Sequence, residues 1–309
     1  MFYSQYNPEE DTKLLNNSIK GAGTDEHAII KLLANRSNEQ RQNLVQAYKS
    51  NYGSDLREDL KSELSGKFQT LVLALFETPA NYDAQELHKA MKGLGTDEDT
   101  IIEIICTRSA QRLKAIRNSY STLFQTPLEK DIQSETSGDL QHILVAILQC
   151  NRSDNKHPDE GKCLQDAKSL YEAGEGKWGS EESIFVKIFA TRSPQEIACI
   201  SQKYSQLYNK TLLETVDKEF SGDFKNSLKT IVQAMTNPSA YFATKVNEAI
   251  KGWMTNNKKL IRIIVSRDEI DMPQIKQAYK SMYGKDMAED IRKETSGDYK
   301  DLLYELISH

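Results

Sequence analysis

Counting forward from Gly95 in the stretch Met91-Lys92-Gly93-Leu94-Gly95-Thr96-Asp97, an arginine follows after 13 residues (Arg108), a tyrosine after 25 (Tyr120) and a glutamate after 40 (Glu135). The same offsets from Gly23 reach Arg36, Tyr48 and Glu63, and from Gly179 they reach Arg192, Tyr204 and Glu219. From Met254 they reach Arg267, Tyr279 and Glu294. A register kept at three offsets in four copies restricts the chain to an array of four similar units, each too small to bury an apolar face without its neighbours. The spacing predicts units at 13–79, 80–151, 164–238 and 239–309, with a polar leader at 1–12 and a linker at 152–163. The linker carries the extra length between Glu135 and Gly179, and it predicts two halves of two units each.

Within a unit the apolar residues recur at helical spacing and no strand-like alternation is visible, so the class is all-α with five helices per copy. The first copy shows the plan. Leu14, Leu15 and Ile19 mark one helix, and Gly21-Ala22-Gly23 breaks it. Thr24 opens a second through Ile29, Ile30, Leu32 and Leu33, and Ser37 with Gln40 has the form of a capping box opening a third. Ser193 and Glu196 repeat that box in the third copy. A fourth helix leads to Glu63, and a fifth carries Phe68, Leu71, Val72, Leu75 and Phe76. Tyr48, Tyr120, Tyr204 and Tyr279 read as core residues. Arg36, Arg108, Arg192 and Arg267, just past the second helices, read as hydrogen-bonding hubs for carbonyls or for a neighbouring helix's carboxylate.

The loop itself is chemically specific. Alternate glycines permit positive φ, so successive carbonyls can turn toward one point. Thr96 is expected to cap the next helix, with Asp97, Glu98 and Asp99 in its first turn. Convergent carbonyls joined by one carboxylate make an oxygen-only ligand set suited to Ca²⁺, a hard cation that takes six to eight oxygens. Composition agrees with such a role. The chain is 38% hydrophobic and 28% charged with a formal charge of −5, which argues against nucleic acid and against unaided attraction to anionic membranes. Three bound calcium ions would carry that total to about +1, all on the loop side.

At these residues the chain resembles the annexins, whose hallmark is a repeated Lys-Gly-x-Gly-Thr loop with a carboxylate some 40 residues on. The resemblance implies four repeats of five helices in a curved disc, with calcium bridging a convex face to acidic, phosphatidylserine-like phospholipid. It also implies ligands. The first site would use carbonyls of Ile19, Gly21 and Gly23 with Glu63, and the second Met91, Gly93, Gly95 and Glu135. The third, in the altered loop Gly174-Glu175-Gly176-Lys177-Trp178-Gly179-Ser180, would use Gly174, Lys177, Gly179 and Glu219. In the fourth, Lys251-Gly252-Trp253-Met254-Thr255-Asn256-Asn257, methionine replaces the second glycine. The set Ile250, Gly252, Met254 and Glu294 is therefore expected to be weak or lost. Leu94, Trp178 and Trp253 at loop tips are expected to touch the membrane interface, where an indole is favoured.

The competing readings are an enzyme and a calcium-independent helical scaffold for protein partners. No phosphate-binding loop, His-Glu-x-x-His or dinucleotide fingerprint is present, and the five histidines show no metal spacing, so the chain reads as non-enzymatic. A scaffold explains the apolar register but not the 40-residue glycine-to-glutamate distance. With no basic-then-apolar leader and no run long enough to span a bilayer, the protein is expected in the cytoplasm, peripheral on membranes when calcium rises. Export by a non-secretory route, self-assembly on membranes and a partner for the N-terminus stay open. Cys106, Cys150, Cys163 and Cys199 read as free, mostly buried thiols, with Cys150 and Cys163 placed to pair only if the protein were exported.

Overall fold

The computed structural model describes residues 6–20, 23–93, 95–175 and 181–308. Every regular element among them is an α-helix, five to a repeat. The first repeat holds α1 (Pro8–Ile19), α2 (Glu26–Ala34), α3 (Asn38–Tyr52), α4 (Leu56–Glu63) and α5 (Gly66–Leu75). The second holds α6 (Pro79–Met91), α7 (Glu98–Thr107), α8 (Ala110–Phe124), α9 (Leu128–Glu135) and α10 (Gly138–Leu148). The third holds α11 (Glu160–Ala173), α12 (Glu182–Thr191), α13 (Pro194–Tyr208), α14 (Leu212–Glu219) and α15 (Gly222–Thr236). The fourth holds α16 (Pro238–Lys251), α17 (Asn257–Arg267), α18 (Met272–Tyr283), α19 (Met287–Glu294) and α20 (Gly297–Ser308).

The apolar content of each helix decides where it packs. In α7, Ile101, Ile102, Ile104 and Ile105 are all buried, so the helix is apolar around most of its circumference and must be covered on several sides. The second and fifth helices of the repeats bury their apolar faces against one another and form the centres of two compact units. One unit comprises Met1–Tyr82 with Phe242–His309, and its core joins α2 to α20, α5 to α17 and α5 to α20. The other, Asp83–Tyr241, joins α7 to α15, α10 to α12 and α10 to α15. The expected division into halves by sequence order is therefore corrected. Compact units pair the first repeat with the fourth and the second with the third, because the apolar second and fifth helices decide adjacency. The connection between α10 and α11, shorter than the expected linker because α11 already begins at Glu160, joins two repeats inside one unit.

Chain reversals are equally patterned. In all four Glu-x-Ser-Gly motifs the glycine opens the fifth helix in left-handed backbone, at φ 59° (Gly66), 58° (Gly138), 58° (Gly222) and 63° (Gly297). A side chain there would be strained, which accounts for the glycine. Both capping boxes are present, Ser37 with Gln40 and Ser193 with Glu196.

The four tyrosines are fully buried, as read from the sequence. The four arginines are hubs as well, but not all alike. Arg36 pairs with Asp11 at 2.6 Å, Arg108 with Asp83 at 2.9 Å and Arg192 with Asp166 at 2.6 Å, each aspartate lying on the first helix of the repeat. In the fourth repeat Phe242 occupies that place. Arg267 lies over its ring, 4.4 Å from the centroid, and takes Asp271, four residues on, as its carboxylate at 2.6 Å.

Candidate metal-binding loops

Each loop between the first and second helices is closed by one backbone hydrogen bond. Asp25 N donates to Ser18 O, Asp97 N to Ala90 O and Asn256 N to Ala249 O, all spanning seven residues. In the third loop Glu181 N donates to Ala173 O, spanning eight. That loop has therefore gained one residue, which explains why Asp166 stands one place further from Gly179 than Asp11 stands from Gly23 and Asp83 from Gly95. The shift makes Gly174 the counterpart of Ile19, and Glu175 the counterpart of Lys20, Lys92 and Lys251.

The second loop is the best defined. Gly93 at φ 128° and Gly95 at φ 85° occupy backbone that side chains disfavour, and Gly23 at φ 104° does so in the first loop. The helix cap differs from expectation. Asp97, not Thr96, is the N-cap of α7, its carboxylate accepting from Thr100 N at 3.0 Å, and Asp25 and Asn256 serve in the same way. Thr96 is thereby released. Its hydroxyl donates to the carbonyl oxygen of Glu135 at 3.4 Å, and Thr255 donates likewise to Glu294 at 3.1 Å. These bonds tie the loop to the helix end that bears the glutamate, so a separation of 40 residues becomes a local one.

A second layer, which the sequence reading missed, lies beneath. The buried tyrosine hydroxyls donate to aspartates, Tyr48 to Asp59 at 2.9 Å, Tyr120 to Asp131 at 2.6 Å and Tyr279 to Asp290 at 3.0 Å. Burial and then the bonded aspartate push each phenol well above its ordinary value. The loop lysines reach the same carboxylates, Lys20 at 3.7 Å, Lys92 at 3.8 Å and Lys251 at 3.9 Å. Extending the repeat register to offset 36 would have found the aspartates. In the third repeat offset 36 is Thr215, which hydrogen-bonds Tyr204 at 2.8 Å. There Glu175 replaces the lysine and pairs with Lys210 at 2.5 Å and Lys218 at 3.5 Å. The Lys210 hydrogen bond above all holds the Glu175 carboxyl below the usual range.

The fourth loop departs in backbone and in charge. Met254 is not among the residues with positive φ, nor is Gly252. Lys251 Nζ lies 3.0 Å from Glu294 Oε1. Trp253 is fully exposed and Met254 is 78% exposed. Gly21, Leu94, Lys177, Trp178 and Gly179 fall outside the described residues. Among those described, no three His, Cys, Asp or Glu side chains gather where they could hold a metal. The positive-φ loop tied to Glu135 offers backbone carbonyls and one carboxylate, a donor set that fits a hard, oxygen-seeking ion.

A sequence profile described as Annexin matches residues 10–75, 82–147, 165–231 and 241–306, one match for each repeat. The chain belongs to the annexin family. Its curated relatives include annexin A7 of Homo sapiens, 46% identical over 297 residues, and annexin A13 of Canis lupus familiaris, 42% identical over 302 residues. These alignments cover 96% and 98% of this annexin, and 61% and 96% of the relatives, so it spans less than two thirds of annexin A7. The solved structure of annexin III superposes with a TM-score of 0.98 at 38% identity, covering 100% of this chain and 96% of that one. A calcium-bound annexin (Sm)1 gives 0.89 at 31%, covering 98% and 90%. Membership brings the family's general role, calcium-dependent binding to acidic phospholipid membranes by proteins that are generally not enzymes. No helix among the described residues is long and apolar enough to cross a membrane.

Proposed function

We propose that this annexin docks on acidic phospholipid surfaces through three calcium loops and that its fourth loop does not take calcium as the others do. The ligands are the carbonyls of Ile19, Gly21 and Gly23 with Glu63, those of Met91, Gly93 and Gly95 with Glu135, and those of Gly174, Lys177 and Gly179 with Glu219. The observation that carries this reading is the second loop, where two positive-φ glycines are tied to the Glu135 helix end through Thr96.

Three carbonyls and a bidentate carboxylate supply five oxygens, so about two places in the coordination sphere are left for water or a lipid phosphoryl oxygen. Bound calcium supplies the positive charge that a chain of net charge −5 lacks at an anionic surface. The protein's part is positional. The glycines aim the carbonyls, Thr96 holds the Glu135 helix end in place in the second loop, and several weak sites act multivalently. Leu94, Trp178 and the fully exposed Trp253 enter the interfacial layer.

Co-sedimentation with phosphatidylserine-containing and with phosphatidylcholine vesicles, each in calcium and in chelator, tests the proposal. Pelleting is expected only with the acidic vesicles in calcium and should reverse on chelation. Equal pelleting in calcium and in chelator would instead favour the calcium-independent scaffold.

A further inference from the structure

The third repeat carries a pair of thiols that the calcium loops do not use. Cys163, in the first turn of α11, is buried at 2% exposure, and Cys199, midway along α13, is half-buried. The two helices pack on each other. Cys163 Sγ lies 4.0 Å from the carbonyl oxygen of Glu196, one helical turn before Cys199, so the two cysteines sit on facing turns of α11 and α13. The sequence placed Cys163 to pair with Cys150 only in an exported protein, whereas in the fold its helix packs on the helix that carries Cys199. All four cysteines are reduced in this structure.

We propose that Cys163 and Cys199 form a reversible dithiol–disulfide pair whose oxidant is a small-molecule disulfide of the glutathione class. Access sets the order of events. Cys199, the more exposed, attacks one sulfur of glutathione disulfide as the thiolate, forming a mixed disulfide and releasing one glutathione thiolate. Cys163 then loses its proton and attacks the Cys199 sulfur, releasing the second glutathione. Two protein thiols are oxidised, one glutathione disulfide is reduced to two thiols, and the two protons leave with them. Burial above all pushes the Cys163 thiol up to about 12, so it is the poor first attacker, and it reacts second because the mixed disulfide on the facing turn makes that step intramolecular. Lys203, one turn beyond Cys199, pairs with Glu160 at 2.9 Å and so ties α13 to the turn of α11 that carries Cys163. The staple would join the start of α11 to α13, about 16.5 Å along the helix from Gly174 at 1.5 Å per residue. Calcium-dependent vesicle binding should therefore survive it.

The test incubates the full chain with glutathione disulfide, then alkylates it under denaturing, non-reducing conditions. Alkylatable thiols should fall from the four of the sequence to two, and a dithiol reductant should restore them. Peptide mapping should find the linkage between Cys163 and Cys199. Cys163→Ser should instead stop at a stable glutathione adduct on Cys199. Two outcomes would overturn the proposal. One is a wild-type chain that retains all four thiols, and the other is a wild-type chain that stops at an adduct on Cys199 while Cys163 still alkylates.

Discussion

The fourth loop should acquire ordinary calcium affinity only when two residues are changed together. Lys251 Nζ lies 3.0 Å from Glu294 Oε1, with the two side chains 34% and 38% exposed. In a water-like dielectric that separation corresponds to about 1.4 kcal/mol of attraction. Salt screening and the entropy of holding two long side chains reduce the net to about 0–1 kcal/mol. Lys251→Ala alone should therefore strengthen calcium binding at this loop by no more than about fivefold. The backbone is the larger obstacle. Turning the carbonyls inward as in the second loop requires left-handed backbone, which costs about 1–2 kcal/mol at Met254 and very little at glycine. Met254→Gly with Lys251→Ala should together gain between about 5-fold and about 150-fold. The clean assay is calorimetric titration of calcium into a chain whose other carboxylates are silenced by Glu63→Gln, Glu135→Gln and Glu219→Gln, so that only the fourth loop reports. If that background already binds calcium as tightly as an intact second loop, or if the double change adds nothing, the account of the fourth loop is wrong.

In the unmodified background, Glu63→Gln, Glu135→Gln and Glu219→Gln should each raise the calcium needed for half-maximal vesicle binding while leaving the thermal midpoint within about 2 °C, since each removes a ligand from the surface and nothing from the core. Thr96→Val should loosen calcium at the second loop by about 2- to 10-fold, the worth of one hydrogen bond of about 0.5–1.5 kcal/mol, as read by titration with the other loops silenced. Asp83, fully buried, accepts from Arg108 at 2.9 Å and Arg112 at 3.1 Å, so Asp83→Asn should cost about 3–5 kcal/mol in denaturant unfolding. Burial alone would raise the Asp83 carboxyl, but the two guanidinium groups hold it below its ordinary 3.8. Its contribution is therefore complete above that value and is lost as pH falls through the lower folded-state value. The stability gap between wild type and Asp83→Asn should close in strong acid and stay constant between pH 5 and 8, and a gap that widened in acid would contradict the assignment.

Much of the fold was legible because the repeat exposes one pattern four times. The all-α class, five helices per copy, the buried tyrosines and the arginine hubs all follow from offsets that can be read by counting. What could not be counted was which units pack together. The long linker at 152–163 suggested a break, yet adjacency depends on which apolar faces meet, and the isoleucines of α7 are covered by α15 across that linker. The role of Thr96 was misassigned for a related reason. Threonine and aspartate both make good caps, and only the fold shows that a carbonyl 39 residues away competes for the hydroxyl while Asp97 takes the cap.

The third repeat shows how far the internal register can be pressed. A single added residue moves Glu175 into the place held elsewhere by Lys20, Lys92 and Lys251, and the place of Asp59, Asp131 and Asp290 is taken by Thr215. Each change alone would leave a charge without its counterpart beneath the loop. A lysine facing Thr215 would lose its carboxylate, and Glu175 facing an aspartate would meet a like charge, which is destabilising at such distances. Made together, and with Lys210 and Lys218 supplied at 2.5 Å and 3.5 Å, they restore a paired second layer of opposite polarity. Lys218 also lies 3.1 Å from Glu219, so the carboxylate assigned to the third site already has a cation beside it. Calcium bound by Glu219 would have to displace that lysine, whereas among the described residues the Glu135 carboxylate meets the Ser134 hydroxyl at 3.4 Å. The third loop should accordingly fill at higher calcium than the second, and Lys218→Ala should narrow the difference in a titration that reports the two loops separately.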